Sequence, residues 1–191
     1  MKKNLLLAIF GIIIFSCSSS KTRYFDDNNV EISRSRFKKI LSEYKFFEIP
    51  GDSTDQKKLI SREERGEISN RAILEKKLQE QINYTIDDSQ PLVIIYYPET
   101  KPCNSTKSTE WIRRWYGELE EGLRQIVNIK PVYIYKSNEG LHDYNGIIKW
   151  NEDPKGRVER LFFEHHYPCE SFVVISKDGD YISYFGEFAK E

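Results

Sequence analysis

The stretch Leu92-Val93-Ile94-Ile95-Tyr96-Tyr97 decides the fold. It is apolar without interruption and rich in β-branched and aromatic side chains. Both of its faces must therefore be covered, which is the pattern of a central strand with a layer on each side. Asp87-Asp88-Ser89-Gln90-Pro91 breaks the chain before it, and a loop from Pro98 to Lys107 follows it. From about Thr109 to Ile129, the residues Ile112, Trp115, Leu119, Leu123, Ile126 and Val127 line one helical face. Pro131 then opens a second apolar strand, Val132-Tyr133-Ile134-Tyr135. A buried strand, a long helix and another buried strand predict a right-handed crossover with the two strands parallel.

Further along the chain, Ser137 to Gly156 is punctuated by Gly140, Gly146, Pro154 and Gly156 and reads as loop. Val158 to His165 reads as a short helix ended before Pro168, and Ser171-Phe172-Val173-Val174-Ile175-Ser176 as a strand. Lys177-Asp178-Gly179-Asp180 is a hairpin turn, because glycine takes positive φ cheaply, and it returns the chain through Tyr181 to Phe185.

Upstream of the central strand, Asn70 is placed to cap a helix carrying Ile73, Leu74, Leu78 and Ile82 and running to about Tyr84. Before it, Tyr24 to Ile32 reads as a hairpin with a polar turn, Phe37 to Tyr44 as a helix starting near Ser33 or Ser35, and Phe46 to Ile49 as a strand. Lys57 to Glu63 and Glu67 to Ser69 flank Arg65-Gly66, which predicts a second hairpin turning there. The chain thus divides into a leader at 1–16, a tether at 17–23, a β-rich amino-terminal extension at 24–69 and an α/β domain at 70–191.

Charged residues make up 31% of the 191 and aromatics 14%, which suits a globular body and not a disordered or multi-spanning one. Formal net charge is -1, and removal of Lys2 and Lys3 with a leader makes it -3, so no overall positive field points to nucleic acid. The basic pairs Lys57-Lys58 and Arg113-Arg114 are short, mixed with carboxylates, and read as solvated surface.

At the amino terminus Lys2 and Lys3 precede the apolar run Leu5 to Phe15, and Ser16 stands before Cys17, an export signal. The run is too short to span a bilayer, which needs about 20 residues. Ile14-Phe15-Ser16-Cys17 resembles the lipobox of bacterial lipoproteins, with Phe15 standing where that family usually has a smaller residue. The resemblance implies that Cys17 carries diacylglycerol, becomes the new amino terminus and is itself acylated. Ser18-Ser19-Ser20 suits a flexible tether. Ser18, not Asp, follows the cysteine and resembles lipoproteins sent to the outer membrane, so the expected location is the cell envelope, facing the periplasm or the surface. An ordinary secretory signal with an incidental cysteine is the alternative.

The element order from Asn70 to Phe185 resembles the thioredoxin-like fold. In that family a Cys-x-x-Cys loop joins the first central strand to the long helix; here the matching stretch is Thr100-Lys101-Pro102-Cys103. Thr100 occupies the place of the nucleophilic cysteine, and a hydroxyl cannot perform disulfide exchange. Tyr167-Pro168-Cys169 is the counterpart of the family's cis-proline loop, though two or three residues further from the Asp178-Gly179 turn. The fold expected is α/β: a thioredoxin-like central mixed sheet with flanking helices, after a small β-rich extension.

With Cys17 lipidated, Cys103 and Cys169 remain in an oxidising compartment. The resemblance implies that their loops face each other, hence a structural disulfide that would contribute roughly 4 kcal/mol on a chain-entropy argument. Two unrelated buried thiols, or a redox-active pair, are the alternatives. The function expected is a membrane-tethered, non-catalytic binding or scaffold module with an unidentified envelope partner and no cofactor; the alternative is an atypical thiol-disulfide oxidoreductase using Cys103 and Cys169.

Other constellations carry less. Adjacent histidines such as His165 and His166 point about 100° apart on a helix and rarely share one ion, and His142 is distant in sequence. Trp111 and Trp150 are candidates to line a ligand groove, whereas Trp115 shares the apolar helix face. Asp52-Ser53-Thr54 resembles a short acceptor motif for O-linked sugar at Ser53 in some Bacteroidota.

Overall fold

The computed structural model describes residues 21–82, 84–98, 108–165 and 169–188. In chain order the strands and helices are β1 (Arg23–Phe25), β2 (Glu31–Ile32), α1 (Arg34–Leu41), β3 (Phe46–Pro50), β4 (Gln56–Ser61), β5 (Glu63–Glu67) and α2 (Arg71–Gln79). They continue with β6 (Leu92–Tyr97), α3 (Thr109–Val127), β7 (Val132–Tyr135), β8 (Asn151–Glu152), α4 (Arg157–Phe162), β9 (Ser171–Ile175) and β10 (Asp180–Tyr184). Short 3-10 turns occupy Leu141–Tyr144 and Pro154–Gly156.

All six side chains of β6 are buried, as its composition demands. It lies inside a six-stranded mixed sheet of order β5-β10-β9-β6-β7-β8. β7 runs parallel to it, with Ile94 opposite Val132, and β9 antiparallel, with Leu92 opposite Ile175. The chain is therefore α/β with helices on both faces of the sheet. One face packs Leu92, Ile94, Tyr96, Val132, Ile134, Val173 and Ile175 against Leu74 and Leu78 of α2 and Val158 and Phe162 of α4. The other packs Val93, Ile95, Tyr97 and Tyr133 against Ile112 and Tyr116 of α3.

A second, four-stranded sheet of order β2-β1-β4-β3 is made by the amino-terminal segment. The expected hairpin is there, Tyr24 opposite Ile32, its turn held by the Asp26 carboxylate accepting from the amides of Asn28 and Val30. Phe47 of this sheet joins the first face of the larger one, so the two sheets share a core. The chain passes between them at Arg62, whose amide donates to the Lys45 carbonyl while its own carbonyl accepts from Phe185.

The expected turn at Arg65-Gly66 does not form. β5 runs straight through both residues and pairs antiparallel with β10, Gly66 opposite Tyr181. Glycine is needed there for close approach: a Cβ would lie 2.6 Å from the Tyr181 hydroxyl. A strand within the β-rich segment thereby becomes an edge of the larger sheet.

The helices begin where capping predicts. Ser33, Asn70 and Ser108 each accept, through a side-chain oxygen, the amide three residues on. Their ends and faces differ from expectation. α2 stops at Gln79, short of Tyr84, and the Gln79 side chain accepts the Ile86 amide. Its buried stripe is Arg71, Leu74, Glu75 and Leu78, so Ile73 falls beside it and is exposed. In α3 the steps from Leu119 through Leu123 to Val127 carry the stripe, and Ile126 is 81% exposed. α4 ends before Phe163, whose ring leaves the helical path to stack on Tyr96 at 4.7 Å.

Two buried charged groups hold elements in place. Arg71 donates to Glu75 at 2.7 Å and to the carbonyls of Ser176 and Gln90, fastening α2 to the end of β9 and to the approach to β6. Asp153 accepts the amides of Val158 and Glu159 and starts α4; burial raises its pKa despite those bonds. At the hairpin between β9 and β10, Gly179 has φ +102 and its would-be Cβ lies 2.7 Å from the Ile68 carbonyl.

Candidate functional site

The register of β6 with β9 sets Tyr96 opposite Ser171. The residues that continue these strands, Pro98 and Cys169, therefore lie at one end of the sheet, where α3 also begins after Ser108. The segment 99–107 joins Pro98 to Ser108 and includes Thr100-Lys101-Pro102-Cys103, which lies outside the described residues, as do Cys17, His166, Tyr167 and Pro168. The chemistry that can be built from described groups at this end centres on Cys169 and Glu170.

Cys169 is buried and adopts φ +86, a left-handed conformation that a residue with a side chain takes only when its surroundings impose it. Its Sγ lies 3.4 Å from a carboxylate oxygen of Glu187. The next residue adds a second carboxylate. Glu170 is buried, and accepts hydrogen bonds from the hydroxyls of Tyr116 at 2.8 Å and Tyr144 at 2.5 Å.

These phenols lie inside an aromatic layer. Tyr116 makes edge contacts with Tyr133 and Tyr144, and Trp150 packs on Tyr97, Tyr133 and Tyr144 at 5.8, 5.3 and 5.7 Å. Burial, with the Glu170 charge second, pushes the Tyr116 and Tyr144 hydroxyls well above the ordinary phenol range. Tyr133 is raised first by burial and then by Glu120, to which it donates at 2.9 Å. All three hydroxyls remain protonated donors at physiological pH, those of Tyr116 and Tyr144 to the Glu170 carboxyl group and that of Tyr133 to Glu120.

The carboxyl-terminal segment closes the site. Gly186 donates its amide to Ser171 Oγ at 2.9 Å, and the Phe188 ring meets Phe172 at 4.8 Å and Trp115 at 5.5 Å. Trp111 stacks on Trp115 at 5.9 Å, so the two indoles form one half-buried ledge beside the α3 start and do not split into a core ring and a free one. Trp150, expected at the surface, has its ring within the aromatic layer instead. Ser53 lies in the exposed turn between β3 and β4 and donates to Asp55.

His165 is half-buried between the rings of Phe47 and Phe185, and His142 is exposed beside Asp143. Among the described residues no group of three His, Cys, Asp or Glu is arranged to hold a metal ion, and no helix is long and apolar enough to cross a membrane.

Sequence reasoning missed Tyr116, Tyr144 and Glu170. Tyr116 had a signal, since it lies four residues after Ile112 on the same helical face. Tyr144 and Glu170 had none, because a loop tyrosine and a carboxylate in a charge-rich chain look alike whether solvated or buried. In comparisons with known proteins, no protein family, curated protein or solved structure matches the chain.

Proposed function

We propose that this chain is a lipoprotein of the cell envelope, anchored through lipid on Cys17, whose body is a thioredoxin-like binding or scaffold module without redox catalysis, stapled by a disulfide between Cys103 and Cys169. The observation that carries the reading is the inner strand order β7-β6-β9-β10, with a parallel β6-α3-β7 crossover followed by an antiparallel hairpin. That order is the one the thioredoxin resemblance implies, and it brings the approach to Cys103 to the end of the sheet that carries Cys169. The outer strands β5 and β8 are additions to it.

Thr100 in the nucleophile's position opposes thiolate chemistry, because a hydroxyl cannot perform disulfide exchange. The half-buried ledge of Trp111 and Trp115 suits binding of a partner in the envelope. The test is a count of reactive thiols in denatured, unreduced mature protein, with peptide mass mapping. No free thiol and a Cys103–Cys169 cross-linked peptide are expected; two free thiols would overturn the staple. For the anchor, Cys17→Ser should move the protein from the membrane fraction to the soluble one, and an unchanged distribution would refute it.

The left-handed backbone at Cys169 favours a second reading, a thiol-disulfide oxidoreductase of unusual type, because strain of this kind gathers at reactive positions. Trapping of a mixed disulfide by Cys169→Ser, or reduction of a disulfide-bonded model peptide that Cys103→Ser abolishes, would establish it over the scaffold.

A further inference from the structure

We propose that the amino-terminal sheet and helix α1 form an electrostatic docking surface for anionic lipid headgroups, a second membrane contact beside the anchor. Its geometry rests on the reading of Cys17 as lipidated. The first observation is the division of charge along the chain. Residues 21–62 carry ten Lys and Arg against seven Asp and Glu, whereas residues 63–191 carry seventeen against twenty-three. A positive end and a negative body orient the molecule in the field of an anionic surface.

The second observation is where the positive charge sits. Helix α1, Arg34-Ser35-Arg36-Phe37-Lys38-Lys39-Ile40-Leu41, contains four cations and no carboxylate. Arg34, Arg36, Lys38 and Lys39 are exposed, and none of them makes an ion pair among the described residues. Other cations of the same unit are paired, Arg23 with Glu31 and Lys57 with Glu48. Phe37, buried against the ring of Tyr24 at 4.9 Å, fastens the helix to the sheet so that the charged positions face outward.

The third observation is an aromatic beside the cations. Tyr44, just beyond the helix, is 76% exposed and is held at φ +58. An amphipathic ring next to basic side chains is the pairing found at membrane interfaces.

Position completes the case. Lys21 lies four residues after Cys17, a reach of at most about 14 Å. The Tyr24–Ile32 register returns the chain beside its entry, and Lys21, Arg23, Tyr24, Glu31 and Arg34 line one concavity of about 650 Å³. A lipid on Cys17 therefore holds α1 within reach of the headgroups of the same bilayer.

The test uses the chain from Ser18 to Glu191, which keeps every described residue and lacks the lipidated cysteine, so its outcome is independent of whether Cys17 is modified. It is sedimented with vesicles of phosphatidylcholine alone and of phosphatidylcholine with phosphatidylglycerol. Binding is expected only to the second, weakening with salt. Each cation should contribute roughly fivefold, so alanine at Arg34, Arg36, Lys38 and Lys39 together should lower partitioning by at least a hundredfold. Alanine at Arg113 and Arg114, exposed cations of α3, should leave it unchanged. Equal binding to both vesicle types, no binding to either, or a quadruple variant that keeps its fold by circular dichroism and still binds, would overturn the proposal.

Discussion

The two faces of the six-stranded sheet are built on the same strands, alternate side chains going to each, yet they differ in kind. One face is filled by aliphatic and phenylalanine side chains and the ring of Tyr96, with α2 and α4 above them. The other, beneath α3, is filled largely by tyrosine and tryptophan and contains the carboxylate of Glu170. The first face is held by area removed from water and by close packing. The second adds hydrogen bonds that must all be made, because a buried polar group left without its partner costs more than the bond contributes. Glu170, the carboxylate of the polar face, directly follows Cys169 at one end of the sheet.

This contrast can be broken by substitution. Phe162→Ala, on the dry face and fully buried, should cost about 3–5 kcal/mol in urea unfolding. A loss below about 1 kcal/mol would mean that this face is not close-packed. On the polar face, Glu170→Leu should cost about 1–3 kcal/mol for each tyrosine hydroxyl left without its acceptor. Adding Tyr116→Phe and Tyr144→Phe to that variant should recover much of the loss. Additive losses in this cycle would show that the network contributes by shape alone.

Alkaline pH should act chiefly on the polar face. The hydroxyls of Tyr116, Tyr133 and Tyr144 are raised above the ordinary phenol value of 10.0. In the unfolded chain they ionise near that value while the folded chain still holds their protons. Their contribution is thus fully present below pH 10 and is lost as pH rises from 10 toward the folded values. Unfolding midpoints measured across this range should fall, and the fall should flatten in a Tyr116→Phe, Tyr133→Phe, Tyr144→Phe variant.

The smallest effect sharpens the comparison. Asn70→Ala and Ser108→Ala remove equivalent caps from helices on opposite faces, and each should cost about 1 kcal/mol. Equal losses would locate the difference between the faces in what fills them and not in how their helices begin.

Much of the framework could be read before the fold was known. The run Leu92–Tyr97 announced a doubly covered strand, and it is one. The cap at Asn70, the helix start near Ser33 or Ser35 and the turn at Gly179 follow local rules, in which the partner lies a few residues away. Where the partner is distant in sequence, the local rules fail. Arg65-Gly66 looks like a turn, but the glycine makes room for Tyr181, more than a hundred residues later. Trp150 looks like a surface ring until Tyr97, Tyr133 and Tyr144 surround it.

The amino-acid sequence by itself determined the strand and helix types, the starts of the helices, the division of charge between residues 21–62 and 63–191, and the positions of the cysteines. These are properties of composition and near neighbours. Only the tertiary structure decided that β5 crosses to the larger sheet, that Arg71 and Glu75 are a buried pair, and that Glu170 meets Tyr116 and Tyr144. Burial decides the meaning of a polar side chain, and burial is a property of the whole assembled core.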